Sequence, residues 1–230
     1  MQFEKSSVLS FTDIVILSLI FFGMPAYSSL AGYLELQQNG LNQPETLSIN
    51  ELASYSTMIY SAVSVAAAWL YLRWRKFDFG ALDFRINRYT LPLTLLLVLC
   101  AGAAADVYQL VHSTLVPEHY PETAEGAYEG IRLTPELVIT SLFNGFFEEI
   151  FFMGLVFAVA PKMLPKAFAY SLLVRFVFHT YQGLAGALTV TTLGISFFLL
   201  RRKIPYLVPF FLAHGIFDMF GLTALGLVFR

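Results

Sequence analysis

The chain has 230 residues, of which 57% are apolar and only 13% charged, with a mean hydropathy of +0.66 and a net charge of −2. A soluble domain carries about 25% charged residues, so too little polar material is present to coat a water-facing surface, and the remaining surface must face lipid. The near-neutral charge offers nothing for nucleic acid, and a single cysteine, Cys100, excludes an internal disulfide and a cysteine-based metal cluster.

A spanning helix needs about 20 mostly apolar residues. Stretches at about 9–34, 52–74, 90–113, 135–160, 164–182, 184–200 and 205–229 each predict one, the sixth being short. The expected fold is therefore all-α, a polytopic transmembrane bundle of about seven spans. It is read as one integral membrane domain, with residues 1–134 supplying the N-terminal helices and their loops and residues 135–230 a core that carries the chemistry. Lys5, the apolar run from Ile14 to Phe22 and then Pro25-Ala26-Tyr27-Ser28 imitate a secretory signal. The apolar character runs on to Leu34 and further spans follow, so this segment reads as an uncleaved first helix.

The connections differ in charge. Gln37 to Asn50 is uncharged except for Glu45, and the 116–135 segment sets Glu118, Glu122, Glu125 and Glu129 against Arg132. Arg73, Arg75, Lys76, Arg85 and Arg88 share one loop, Lys162 and Lys166 another, and Arg201-Arg202-Lys203 closes the sixth span. Under strict alternation Lys5 and all three basic segments fall on one side, and Arg230 is the stray. The positive-inside rule then puts the N-terminus in the cytoplasm and the C-terminus outside. Phe77-Asp78-Phe79 and Leu82-Asp83-Phe84 predict a short helix lying at the membrane surface before the third span.

A charge near the centre of a spanning helix costs about 2.5–3.5 kcal/mol on insertion scales. Asp13, Asp106, Glu148, Glu149, Arg175, His179, His214 and Asp218 therefore each need an explanation. Asp13 lies near the start of its helix and reads as a cap or interfacial carboxylate; Asp106, toward the end of the third span, reads likewise. Glu148 and Glu149 sit deep in Phe146-Phe147-Glu148-Glu149-Ile150-Phe151-Phe152. Adjacent helical residues point about 100° apart, so one carboxylate can face a cavity while the other meets a neighbouring helix, and their burial side by side suits a proton-accepting role. His179 follows Arg175 at i+4 and Asp218 follows His214 at i+4, which puts each pair on one helix face. The second pair could hydrogen-bond together, orient a substrate oxygen or bind a metal. His112 and His119 read as ordinary solvated residues. Asn144, Tyr181 and Gln182 either line a cavity or make helix contacts.

In chain order, Glu148-Glu149-Ile150-Phe151-Phe152-Met153, Arg175-Phe176-Val177-Phe178-His179 and His214-Gly215-Ile216-Phe217-Asp218 resemble the motifs of the CPBP family, the CAAX-protease and bacteriocin-processing membrane enzymes also called Abi. That family carries Glu-Glu-x-x-x-Arg, Phe-x-x-x-His and His-x-x-x-Asn or His-x-x-x-Asp on successive membrane helices, and the resemblance covers about residues 135–225. It implies an intramembrane endopeptidase acting on a membrane-associated protein or peptide, with Glu148, Glu149, His179, His214 and Asp218 as catalytic residues. Met153 stands where the family has Arg, and Arg175 where it has Phe. The expectation is that Arg175 arrives from the next helix to supply Glu149 with the missing positive charge.

The residues permit a concrete reaction. Glu148 would activate a water held by His179, and His214, oriented by Asp218 through its second nitrogen, would meet the developing oxyanion. No cofactor is favoured. Zinc is the metal that Glu148, His179, His214 and Asp218 would accept, although no His-Glu-x-x-His spacing is present. Two other readings stay open: a non-catalytic relative that binds a membrane partner, and a proton-coupled carrier, against which the lack of a visible repeat weighs. A chain this compact is expected in the bacterial cytoplasmic membrane.

Overall fold

Lipid offers a backbone no hydrogen bonds, so a chain this apolar must satisfy its amides within helices. The computed structural model describes residues 8–39, 51–116 and 133–221 and folds them into seven α-helices: α1 (Phe11–Asn39), α2 (Glu51–Trp74), α3 (Thr90–Leu115), α4 (Pro135–Glu149), α5 (Leu164–Phe178), α6 (Gly183–Arg201) and α7 (Val208–Phe220). Four stretches are long and apolar enough to cross a bilayer: Phe11–Glu35, Thr90–Leu115, Pro135–Ala158 and Thr180–Arg201. Lys5, the Gln-rich loop, the acidic loop with His119, and the end of the last expected span with Arg230 lie outside the described residues.

Local chemistry fixes the helix ends. Ser10 and Asp13 form a reciprocal capping box: the Asp13 amide donates to Ser10 Oγ at 3.2 Å and the Ser10 amide to Asp13 Oδ2 at 2.8 Å. Asp13 is thus a cap, as expected, but a buried one. It also accepts from Tyr71 Oη at 2.6 Å and from Arg75 Nε at 2.7 Å, tying the start of α1 to the end of α2. Thr134 caps α4 through the Leu137 amide, with Pro135 in the first turn where no N–H is needed. Pro25, inside α1, has no N–H for the Phe21 carbonyl, and Tyr60 Oη from α2 donates to that oxygen at 3.3 Å.

The fourth crossing is not one continuous α-helix. After Glu149 it widens into a π turn, Ile150–Leu155, and then tightens into a 3₁₀ turn, Val156–Ala158. The freed Met153 carbonyl accepts from Arg201 Nε at 2.8 Å. The expected surface helix around Phe77–Phe84 is also absent. Only a single 3₁₀ turn forms at Phe79–Ala81, and Phe77 and Leu82 are buried in the protein instead of in lipid. The reason is a docking contact: the Leu207 amide donates to the Asp83 carbonyl at 2.8 Å, which folds this loop under α7. Within the loop, hydrogen bonds from Arg85 hold the Asp83 carboxyl below the usual carboxylate range. These contacts, with Leu9 N–H to the Ala158 carbonyl at 2.7 Å and Lys166 over the Phe11 ring, gather the basic segments at one end of the bundle.

The core is aromatic. Phe22 of α1 stacks on Phe152 and Phe178 with ring centroids 5.0 and 4.8 Å apart, and Phe21 lies 5.1 Å from Phe147. Lipid is as apolar as these side chains, so such packing, and not exclusion from water, holds the helices together. His112 is half-buried beside Tyr108, not solvated.

Candidate functional site

The site exists because α4 and α7 approach backbone to backbone. A Cβ on Gly145 would run into the Phe211 carbonyl and stand 2.9 Å from the Gly215 amide, and one on Gly215 would be 3.1 Å from the Ser141 carbonyl. Only glycine permits this approach. Glu148 and Glu149 stand one turn beyond Gly145, and His214 directly precedes Gly215, so the crossing presses them together.

Glu149 is sealed, at 0% exposure. Its Oε1 accepts from Arg175 Nη2 at 2.6 Å and pairs with His214 Nδ1 at 2.7 Å. Arg175 is buried on α5, its guanidinium 4.0 Å from the centre of the Phe152 ring, in space left by Gly194, where a Cβ would stand 2.9 Å from Arg175 Cδ. The positive charge expected at Met153 is thus delivered across helices by Arg175. Met153 itself is buried and apolar.

The other face of His214 meets two more carboxylates, with Nε2 3.6 Å from Glu148 Oε1 and 3.5 Å from Asp218 Oδ1. Carboxylate oxygens accept, so both ring nitrogens face acceptors and the ring is placed to donate on both sides. One expectation changes here. Glu149, not Asp218, holds the second nitrogen of His214; Asp218, one turn along α7, reaches only the nitrogen that also faces Glu148. The Asp218 side chain is 26% exposed, so the cluster grades from a sealed floor at Glu149 to an open rim.

His179 ends α5 and is buried. Its Nδ1 lies 2.8 Å from the Arg175 carbonyl. A carbonyl only accepts, so Nδ1 carries the hydrogen and Nε2 is left as the acceptor in a neutral ring. Among the described residues this is the side chain's one hydrogen bond. His179 is tied to the cluster through the backbone of Arg175, lies 6.2 Å from Tyr181 ring centre to ring centre, and makes no direct hydrogen bond to Glu148.

Asn144 was legible only as a polar residue near these helices. It lies one turn before Glu148 and donates from Nδ2 to Glu148 Oε1 at 3.1 Å and to Asp218 Oδ2 at 2.8 Å. Oε2 of Glu148 and Oε2 of Glu149 are buried with no hydrogen-bond partner among the described residues. A buried acceptor left so is costly unless water or a substrate meets it.

Three carboxyl groups here face one permanent cation, Arg175, and one imidazole. A doubly donating His214 leaves a single excess negative charge, which one further proton shared within the cluster removes. Ligand atoms of Glu148, Glu149 and His214 lie within 4.8 Å of one another, so the residue set admits a metal ion. The guanidinium 2.6 Å from Glu149 Oε1 opposes a second cation beside that oxygen, while Oε2 of the same carboxylate remains unpartnered among the described residues.

Residues 130–220 match the model of the family described as Type II CAAX prenyl endopeptidase Rce1-like, which is the CPBP/Abi family that the three motifs resemble. No curated protein and no solved structure matches the chain.

Proposed function

We infer that this chain, whose residues 130–220 match the Type II CAAX prenyl endopeptidase Rce1-like model, is an intramembrane endopeptidase that hydrolyses peptide bonds of membrane-associated proteins or peptides with a water activated by Glu148. The observation that carries this reading is the state of that carboxylate. It is buried within a helical bundle, with Oε1 held by Asn144 and facing His214, and with Oε2 lacking a protein partner.

A water on Oε2 gives its proton to Glu148 as its oxygen bonds to the scissile carbonyl carbon. The carbonyl oxygen gains negative charge and is met by the Nε2–H of His214, which Glu149 holds by Nδ1 and Arg175 in turn anchors. Collapse of the tetrahedral intermediate breaks the C–N bond, and Glu148 returns the proton to the leaving nitrogen. His179, with Nε2 as an acceptor, orients the water by accepting a hydrogen bond from its second O–H, which stays on the attacking oxygen. Asp218 stands at the open rim beside Nε2 of His214. A metal ion held by Glu148, Glu149 and His214 would polarise the same water; the charge of Arg175 beside Glu149 weighs against that version.

Met153, standing where the family has Arg, favours a non-catalytic relative; Arg175 weighs against it by offering Glu149 the charge that Met153 lacks. We take the basic end of the bundle as cytoplasmic, with the N-terminus inside, and the membrane as a bacterial cytoplasmic one. The test is N-terminal-peptide proteomics of membranes holding wild type or Glu148→Gln. At least one peptide bond should be cut by wild type alone, and identical profiles overturn the reading. Cleavage of that bond should withstand a zinc chelator; loss on chelation with recovery on adding zinc would reassign the chemistry to a metal.

A further inference from the structure

We propose that Asn144 is a positioning residue of this site, whose amide pins Glu148 by Oε1 so that Oε2 alone meets water and proton, while also spacing Asp218 from Glu148. The proposal rests on the endopeptidase reading above.

Glu148 follows Asn144 by one helical turn, so the two side chains share a face of α4. Both hydrogens of Nδ2 are used, one on Glu148 Oε1 at 3.1 Å and one on Asp218 Oδ2 at 2.8 Å. An amide N–H is accepted best by the unprotonated oxygen of a carboxyl group, and Nδ2 cannot accept from a carboxyl O–H, so these bonds favour a proton on the other oxygen of each group. For Glu148 that oxygen is Oε2, the atom buried without a hydrogen-bond partner among the described residues. Without the amide, Glu148 could turn either oxygen toward His214. Both carboxylates face the same nitrogen, from which they stand 3.6 and 3.5 Å, and without the amide nothing between them would offset their repulsion. A neutral double donor resolves that repulsion at no charge, which Lys or Arg at this position could not do.

The bland alternative is that Asn144 merely clamps α4 to α7 through Asp218. The exchange Asn144→Asp with Asp218→Asn separates the two. It keeps one amide-to-carboxylate bond across the helices with its direction reversed, but it sets a carboxylate against Glu148 and removes the donor to Oε1. The reference is Asp218→Asn alone, which retains Asn144.

Purified variants in liposomes would be assayed on the peptide bond that the comparison of wild type with Glu148→Gln identifies, together with their thermal unfolding. The exchange should unfold at the temperature of Asp218→Asn yet show a kcat lower by at least about tenfold, with KM within about twofold. Equal kcat values for the exchange and for Asp218→Asn would reduce Asn144 to a clamp and overturn the proposal. Should the exchange not fold, Asn144→Ala decides by its pH profile. Freeing Oε1 to take the proton displaces the limb of kcat against pH that reports Glu148, whereas loss of a clamp lowers the rate equally at every pH and overturns the proposal. A wild type that cuts no bond spared by Glu148→Gln overturns the endopeptidase reading, and this proposal with it.

Discussion

Glu149 and Arg175 form an ion pair with neither group exposed by more than 2%. Removing one partner of such a pair leaves the other as an uncompensated buried charge, at a cost of about 3–5 kcal/mol. Arg175→Met should therefore strongly lower the unfolding temperature of the detergent-solubilised protein. Adding Met153→Arg should recover part of the loss, because the family's own arrangement places the cation there. A single variant as stable as wild type would show that Glu149 needs no cation. The two departures from the motif were visible in sequence, and so was the idea that they compensate. What the sequence could not supply was which oxygen meets which nitrogen. Glu149 rather than Asp218 orients His214, since i+4 spacing shows that two residues share a face but not which neighbouring helix intrudes between them. Asn144 escaped for a similar reason: its meaning depends on Asp218, which is 74 residues away.

At the level of helices, the site depends on the crossing of α4 and α7 and on the π turn that follows the glutamates. Gly145→Ala would drive a Cβ into the Phe211 carbonyl and the Gly215 amide, and backbone atoms of that kind cannot step aside. Overpacking typically costs about 1–3 kcal/mol. Here the expected outcome is a clearly lowered unfolding temperature, together with loss of the wild-type-specific cleavage as His214 draws away from Glu149. Gly154→Ala is the control. Its Cβ would crowd the side-chain ends of Leu207 and Leu82 at 3.3 Å, which can give way, and stand at an ordinary 3.9 Å from the Glu149 carbonyl, so its unfolding temperature should stay close to wild type. Equal shifts for the two variants would remove the crossing from the account. Helix number and order were readable from the apolar runs and the polar connections between them, although only four runs among the described residues are long and apolar enough to span. The π turn was not, since nothing in Ile150–Leu155 forbids an α-helix; it is stabilised from afar by Arg201 on the Met153 carbonyl. The surface helix before α3 failed for the converse reason. Its alternating Phe, Leu and Asp residues look amphipathic, but protein and not lipid covers the apolar side.

For the whole molecule, the depth and sidedness of the site govern which substrates can reach it. At 1.5 Å per residue, His214 lies about 9 Å and Asp218 about 15 Å along α7 from its first residue, close to the middle of a hydrocarbon core about 30 Å thick. The rim at Asp218 faces away from the basic end, because α7 begins beside Arg201-Arg202-Lys203 and runs from there toward the opposite face. If the basic end is cytoplasmic, a substrate reaches the glutamates from the outer half of the bilayer, and its scissile bond should lie in that half of its own spanning segment. The lone Cys100 makes the orientation testable. In a Cys100→Ser background, a cysteine replacing Lys203 should react with a membrane-impermeant maleimide only after cells are opened, whereas one replacing Leu133 should react on intact cells. The reverse pattern would invert the bundle and move substrate entry to the inner half, while leaving the chemistry of the site as described.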